Sequence, residues 1–173
     1  SYDPGNYGLV EDQNIFKNQA VSDPLEPGSI IKTLLVAAAI DKGVVNKDST
    51  YFDSGVQTID GIDVRNLTPM AAGTRSIFDI LQYSLNTGAI HLVKEFGAGD
   101  INEQARTTWY DYLTERYLFT TSPMVELDDA EIGVVPDPLE GDGLRIQYAN
   151  MVFGQGLTMT IQQFASALSS AVN

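Results

Sequence analysis

The run Ile30-Ile31-Lys32-Thr33-Leu34-Leu35-Val36-Ala37-Ala38-Ala39-Ile40 constrains this chain more than any other stretch. Below its first turn, apolar residues occupy every face. A helix that is apolar all round has to be central, with the rest of the chain packed about it. Pro27 and Gly28 bar an earlier start, so the helix is expected from about Ser29 to Asp41. It should stop at Lys42-Gly43, a basic residue followed by a C-cap glycine. Lys32 then falls in the first turn, where the positive end of the macrodipole disfavours a cation. The chain has only 10 Lys and Arg among 173 residues, and one of them stands where a cation is least favoured.

The bulk numbers narrow the function classes. With 43% hydrophobic residues, the length is enough for one domain with a sizeable core. A net charge of −13 repels phosphates, which argues against nucleic acid and anionic membrane surfaces as partners. The absence of cysteine excludes disulfides and thiolate metal sites, and the single histidine, His91, excludes a His-rich one. No metal and no cofactor is expected. The apolar run is interrupted by Lys32 and Thr33 and is too short to span a bilayer. No signal-peptide pattern is present. The chain opens on "SYDPGNYG" and closes on "SSAVN" without a polar tail, so it is expected to be a piece of something larger.

Residues 1–28 are rich in Pro, Gly, Asn and Asp and read as an irregular approach to the first helix. Asp60-Gly61, within "VQTIDGIDV", sits between two apolar/polar alternations and predicts a tight hairpin. The stretch "TRSIFDILQYSLNTGAIHLVKEFG" is helical in pattern but broken at Ser84, Asn86, Thr87 and Gly88, which predicts two helices meeting there. Asn86 is expected to cap the second, with Leu85 and Ile90 as a hydrophobic staple. A further helix should start at Asp100, with Glu103 completing the capping pattern, and run towards Leu118. Residues 119–150 carry the acidic run "VELDDAEIGVVPDPLEGDG" and read as loop or short surface strands. Thr160 and Gln163 form a capping box for the last helix, whose Ile161, Phe164, Ala165, Leu168, Ala171 and Val172 share one face.

Ser29 and Lys32 are three apart and share a helix face. A serine hydroxyl is a weak nucleophile until a base removes its proton, and a lysine can do so if it is neutral. Burial and the positive helix end both lower a lysine pKa. The helix start also offers the Ser29 backbone N–H to a developing oxyanion. The same spacing equally describes an N-cap serine and a snorkelling surface lysine. Ser84-Leu85-Asn86 would bring a second hydroxyl and a carboxamide to the same place, able to relay a proton and grip an amide. Taken alone, these two residues read as a helix breaker and a cap.

Together the segments "EPGSIIKTLLVAAAIDKGVV", "SLNTGAIHLVKEFG" and "FGQGLTMTIQQFASALSSAVN" resemble, in order, the transpeptidase domain of class B penicillin-binding proteins. "SYDPGNYG" is similar to the segment upstream of that family's nucleophile helix. The resemblance covers most of residues 1–173, which it marks as a partial transpeptidase domain. It implies a peptidoglycan D,D-transpeptidase that cross-links stem peptides and is acylated by β-lactams. Ser29 would be the acylated nucleophile and Lys32 its general base. Ser84 would shuttle a proton to the leaving nitrogen, and Asn86 would hydrogen-bond the side-chain amide of the substrate or β-lactam. The parent would be membrane-anchored with this domain outside the cytoplasmic membrane, and cell-division or elongation proteins would be candidate partners.

The family's third motif, Lys-Ser/Thr-Gly, is not within these residues. It lies on a strand of the central sheet and supplies a second oxyanion N–H. Loss of one such donor lowers rates by about two to three orders of magnitude, so the isolated chain is expected to be nearly inactive. The expected fold is mainly α, the helical part of the α/β serine β-lactamase and penicillin-binding transpeptidase fold, lacking most of the central sheet. Without that sheet an apolar face should lie open, and self-association is expected. Two alternatives stay open: a serine β-lactamase, and a non-catalytic module binding peptidoglycan or a cell-division partner.

The remaining features read as structural. His91 is expected to be a satisfied polar residue, and Asp128, Asp129 and Glu131 a solvated acidic loop. Trp109, Tyr110, Tyr112 and Tyr117 form a stripe that reads as core. Gly154 and Gly156 read as backbone constraints on a tight turn.

Overall fold

The computed structural model describes residues 4–9, 11–122 and 130–172. Two 3₁₀ turns, Pro4–Leu9 and Gln13–Phe16, lead into the short helix α1 (Gln19–Ser22). A further 3₁₀ turn, Gly28–Ile30, opens directly into α2 (Ile31–Asp41). Ile31, Lys32, Leu34, Leu35, Val36, Ala38 and Ala39 are all buried there, so the helix is central, but it is not covered all round: the face carrying Thr33, Ala37 and Ile40 stays open, with Ile40 47% exposed. It stops at Lys42, and Gly43, with φ +74°, turns the chain away.

Two small antiparallel sheets follow. β1 (Thr50–Asp53) pairs with β4 (Gly73–Ser76), and β2 (Val56–Ile59) pairs with β3 (Ile62–Arg65). The second is the expected hairpin. Asp60 and Gly61 both take positive φ, +50° and +80°, which a two-residue turn matching the strand twist demands. α3 (Ile77–Gln82) starts at a capping box formed by Ser76 and Asp79, and α4 (Asn86–Glu95) follows the break at Tyr83–Leu85. α2 packs against α3, α4 and α7.

Three expectations are corrected. The cap of α5 (Glu103–Asp111) lies two residues later than expected, because Asn102 and not Asp100 accepts the Ala105 N–H, at 3.0 Å. Asp100 instead pairs with Arg145 at 2.7 Å. The helix also ends at Asp111, continuing as a π turn over Tyr112–Arg116. Within residues 119–150 lies a helix, α6 (Leu144–Met151), in place of loop or strand. Gly143 at φ +64° starts it after the acidic run, and Tyr148, Ala149 and Met151 anchor it in the core. Asn86 does not cap α4; Leu85 occupies the cap position, so Leu85 and Ile90 are buried without the staple spacing. The aromatic stripe is core in part: Trp109 is fully buried and Tyr117 is buried with its hydroxyl donating to Leu34 O at 2.8 Å, while Tyr110 and Tyr112 are half-buried against that core.

α7 (Ile161–Val172) opens on the predicted capping box. Thr160 N donates to Gln163 Oε1 at 2.9 Å, and Gln163 N donates to Thr160 Oγ1 at 3.2 Å. The buried Gln163 amide also donates to Phe119 O and Thr121 O, both at 2.8 Å, latching the helix start to the 118–121 turn. The apolar face of this helix is left open in part: Ile161 is 52% exposed and Leu168 37%, while Phe164 packs against the core. That face borders a cleft of about 790 Å³ between α2, the π turn and α7, lined by Val36, Ile40, Tyr112, Tyr117 and Leu168 among others. Replacing Thr160 with alanine removes one partner of a buried cap, and equilibrium denaturation should read a loss of about 1–2 kcal/mol.

Candidate active site

Lys32 is the second residue of α2 and is 1% exposed, yet its side chain is not without partners. Its Nζ lies 3.2 Å from Ser29 Oγ, one turn back on the exposed lip of the 3₁₀ turn. It lies 3.0 Å from Ser84 Oγ, 2.8 Å from Ser84 O and 2.7 Å from Asn86 Oδ1. The two sequence pairs, more than fifty residues apart, therefore meet at one nitrogen. Ser84 makes this possible by adopting φ +53°, in the left-handed region that a serine seldom visits. Bent this way, it turns both its hydroxyl and its carbonyl towards Lys32.

Asn86 is the first residue of α4, and its side chain bonds to groups outside that helix. Its Nδ2 donates to Arg65 O at 3.1 Å, at the end of β3, while Oδ1 accepts from Lys32. With a carbonyl at one end and a lysine at the other, only one orientation of the amide is satisfied. The Arg65 carbonyl could not be read from the sequence. The hairpin itself was legible in Asp60-Gly61, but its contact with α4 across 21 residues was not.

Burial lowers the Lys32 pKa from its ordinary value of 10.5 to about 8. Roughly a tenth of the lysines are then neutral at pH 7. A neutral amine has two N–H groups and one lone pair. The Ser84 carbonyl and Asn86 Oδ1 can only accept, so they claim the two N–H groups. The lone pair is left to the two hydroxyls, each of which can donate. This is the arrangement that proton abstraction from Ser29 needs, with Ser84 Oγ within reach to pass the proton on.

The approach to Ser29 is held from outside α2. Leu25 N donates to Met159 O at 2.9 Å and Met159 N to Leu25 O at 3.0 Å. Gly28 N donates to Gly154 O at 3.1 Å, and Gly156 N donates to Glu26 Oε1 at 2.8 Å. Gly28 takes φ +60° and Gly154 φ +84°. A Cβ on Gly154 would fall on the Gly28 backbone. The two glycines thus permit a backbone crossing directly beneath the candidate nucleophile, a stronger demand than the tight turn expected for Gly154.

The other singled-out residues lie elsewhere. His91 stacks on Tyr51, with ring centroids 4.8 Å apart, and faces Glu95 at 3.6 Å; burial lowers its pKa. Asp128 and Asp129 lie outside the described residues. The 790 Å³ cleft contains none of Ser29, Lys32, Ser84 or Asn86. No helix among the described residues is long and apolar enough to cross a membrane.

Comparison with known proteins gives a consistent picture. The family described as penicillin binding protein transpeptidase domain matches residues 1–173. Stage V sporulation protein D of Bacillus subtilis is 28% identical over 173 residues, covering 99% of this chain and 25% of that protein. A protein of Mesostigma viride described as a peptidoglycan D,D-transpeptidase FtsI homolog is 30% identical over 186 residues, covering 100% and 29% respectively. The crystal structure of penicillin-binding protein 3 from Mycobacterium tuberculosis complexed with aztreonam superposes with a TM-score of 0.78 at 26% identity, covering 98% of this chain and 35% of that one. The chain spans about a quarter of the length of the curated relatives it matches.

Proposed function

The chain belongs to the penicillin-binding protein transpeptidase domain family, and from that premise we propose that it is the helical part of a peptidoglycan D,D-transpeptidase domain of class B. Residues 1–173 form a partial domain, and the parent carries it outside the cytoplasmic membrane on a membrane anchor. Its substrates are peptidoglycan stem peptides, and β-lactams acylate it. The observation that carries this reading is the buried amine of Lys32 in contact with Ser29, Ser84 and Asn86 together.

In the forward reaction the neutral Lys32 amine takes the Ser29 proton as Oγ attacks the donor carbonyl carbon. The new bond is Oγ–C, and the bond that breaks is the C–N bond of the donor peptide or β-lactam ring. The Ser84 hydroxyl relays the proton from Lys32 to the leaving nitrogen. Asn86 holds the amide of the donor's side chain. The amine of a second stem peptide then takes the acyl group, and Ser29 regains its proton.

Intact mass of the full-length protein with and without benzylpenicillin tests this directly. The expected result is a stoichiometric adduct of the whole drug, which digestion places on the peptide bearing Ser29. An unmodified mass after prolonged incubation would turn the assignment towards a non-catalytic module, and rapid loss of the adduct with drug turnover would turn it towards a β-lactamase.

A further inference from the structure

α4 begins without a cap of its own. Leu85 at its N-cap has no side-chain acceptor, and the Asn86 side chain is engaged by Lys32 and Arg65. The N–H of Thr87, second in the helix, is one of the groups that a helix start leaves unpaired. It donates instead to Asn66 Oδ1 at 3.1 Å, from the residue that follows β3. The Asn66 amide is oriented in turn. Its Nδ2 faces Asp53 Oδ2 at 3.3 Å, and the reversed amide would set an oxygen against that carboxylate.

Asp53 is the last residue of β1 and only 3% exposed. Its Oδ1 accepts from Gly55 N at 2.7 Å, and the Thr87 hydroxyl reaches its Oδ2 at 2.9 Å. A carboxylate buried among a backbone N–H, an amide and a hydroxyl is unfavourable unless each of them points at it. Consecutive residues of the chain thus do consecutive tasks. The Arg65 carbonyl fixes the Asn86 amide, and the Asn66 side chain fixes the backbone one residue further on.

We propose that Asp53 and Asn66 are positioning residues of the acyl-transfer site: Asp53 orients Asn66, and Asn66 caps α4 from the hairpin, so that Asn86 presents its second Nδ2 N–H to the side-chain amide of the donor. The kinetic consequence rests on the transpeptidase reading above; the capping itself does not.

The test uses Asn66→Ala in the full-length protein. Acylation by benzylpenicillin, which carries a side-chain amide, should slow about tenfold or more, since small misplacements in a reacting site are amplified in rate. Acylation by 6-aminopenicillanic acid, which has the same ring system without that amide, should slow much less. In an Asn86→Ala background, Asn66→Ala should add little, because both act through one side chain. A purely structural contribution would slow both drugs equally and add in full to Asn86→Ala, and that result would overturn the proposal. Amide exchange at Thr87 gives a readout independent of activity: protection should be lost in Asn66→Ala, and unchanged protection overturns the cap. If Asn66→Ala does not fold, Asp53→Asn keeps the volume at the far end of the same chain and is read in the same ways. If the wild-type protein is not acylated, the transpeptidase reading falls, and Thr87 exchange alone decides the cap.

Discussion

Replacing Lys32 with methionine will slow acylation of the full-length protein by benzylpenicillin about 10³-fold, within the range that a positioned general base contributes. Methionine keeps the unbranched shape of the lysine stem and removes the base. The change leaves the Ser84 carbonyl and Asn86 Oδ1 without their donor, while relieving the burial of a charge. These two effects oppose each other, so the variant should fold and its rate can be interpreted. Lys32→Arg separates the two properties of the side chain. It keeps a cation at the site but cannot be deprotonated, and should be as slow as Lys32→Met.

The pH dependence gives the sharper form of the same prediction. With a pKa of about 8, the wild-type acylation rate should climb with pH up to that value and then level off. The climb should vanish in Lys32→Met. Stability carries the matching signature. Between about pH 8 and 10.5 the unfolded chain holds a proton on this lysine that the folded chain has released. Stability therefore rises with pH across that window in the wild type, and this contribution is missing from the variant. A Lys32→Met protein acylated within tenfold of the wild-type rate would remove lysine from the chemistry.

Part of this site was legible from local chemistry alone. Pro27-Gly28 marked the approach to α2, although Gly28 and Ser29 lie in a 3₁₀ turn and the α-helix itself starts at Ile31; the three-residue spacing still brings Ser29 and Lys32 into contact. The poor helix formers from Ser84 to Gly88 marked the break that presents the second pair. Turn chemistry at Asp60-Gly61 and the Thr160/Gln163 box were equally local, and both elements form as expected. What could not be read are effects that arise only when distant segments touch. Asn86 looked like a cap because its residue type favours caps; it is recruited by Lys32 instead, and a hairpin residue caps the helix in its place. Asp100 gave way to Asn102 as the cap of α5 and pairs with Arg145 from α6. The start of α6 carries no capping side chain, only Gly143 in a left-handed turn, and the helix is held by the burial of Tyr148, Ala149 and Met151.

Gly154 shows the same limit in its strongest form, and substituting it should have the largest effect on the fold. In Gly154→Ala two penalties coincide. The first is the left-handed backbone at φ +84°, worth about 1–2 kcal/mol for a residue with a Cβ. The second is collision of that Cβ with the N, C and O atoms of Gly28. Backbone atoms cannot rotate out of the way, so the 25–28 segment has to move, and Ser29 with it. Gly156→Ala supplies the control, since it shares the first penalty at φ +77° but has open space where its Cβ would stand. Gly156→Ala should lose only about 1–2 kcal/mol and stay acylable. Gly154→Ala should lose more than about 3 kcal/mol, in the range reserved for strain within a packed interior. Whatever folds should be acylated far more slowly, because the crossing sets the height of Ser29 above the Lys32 amine. Equal denaturation midpoints for the two variants would mean that the left-handed turn alone calls for glycine here, and that Ser29 is held by α2 without support from the 154–159 loop.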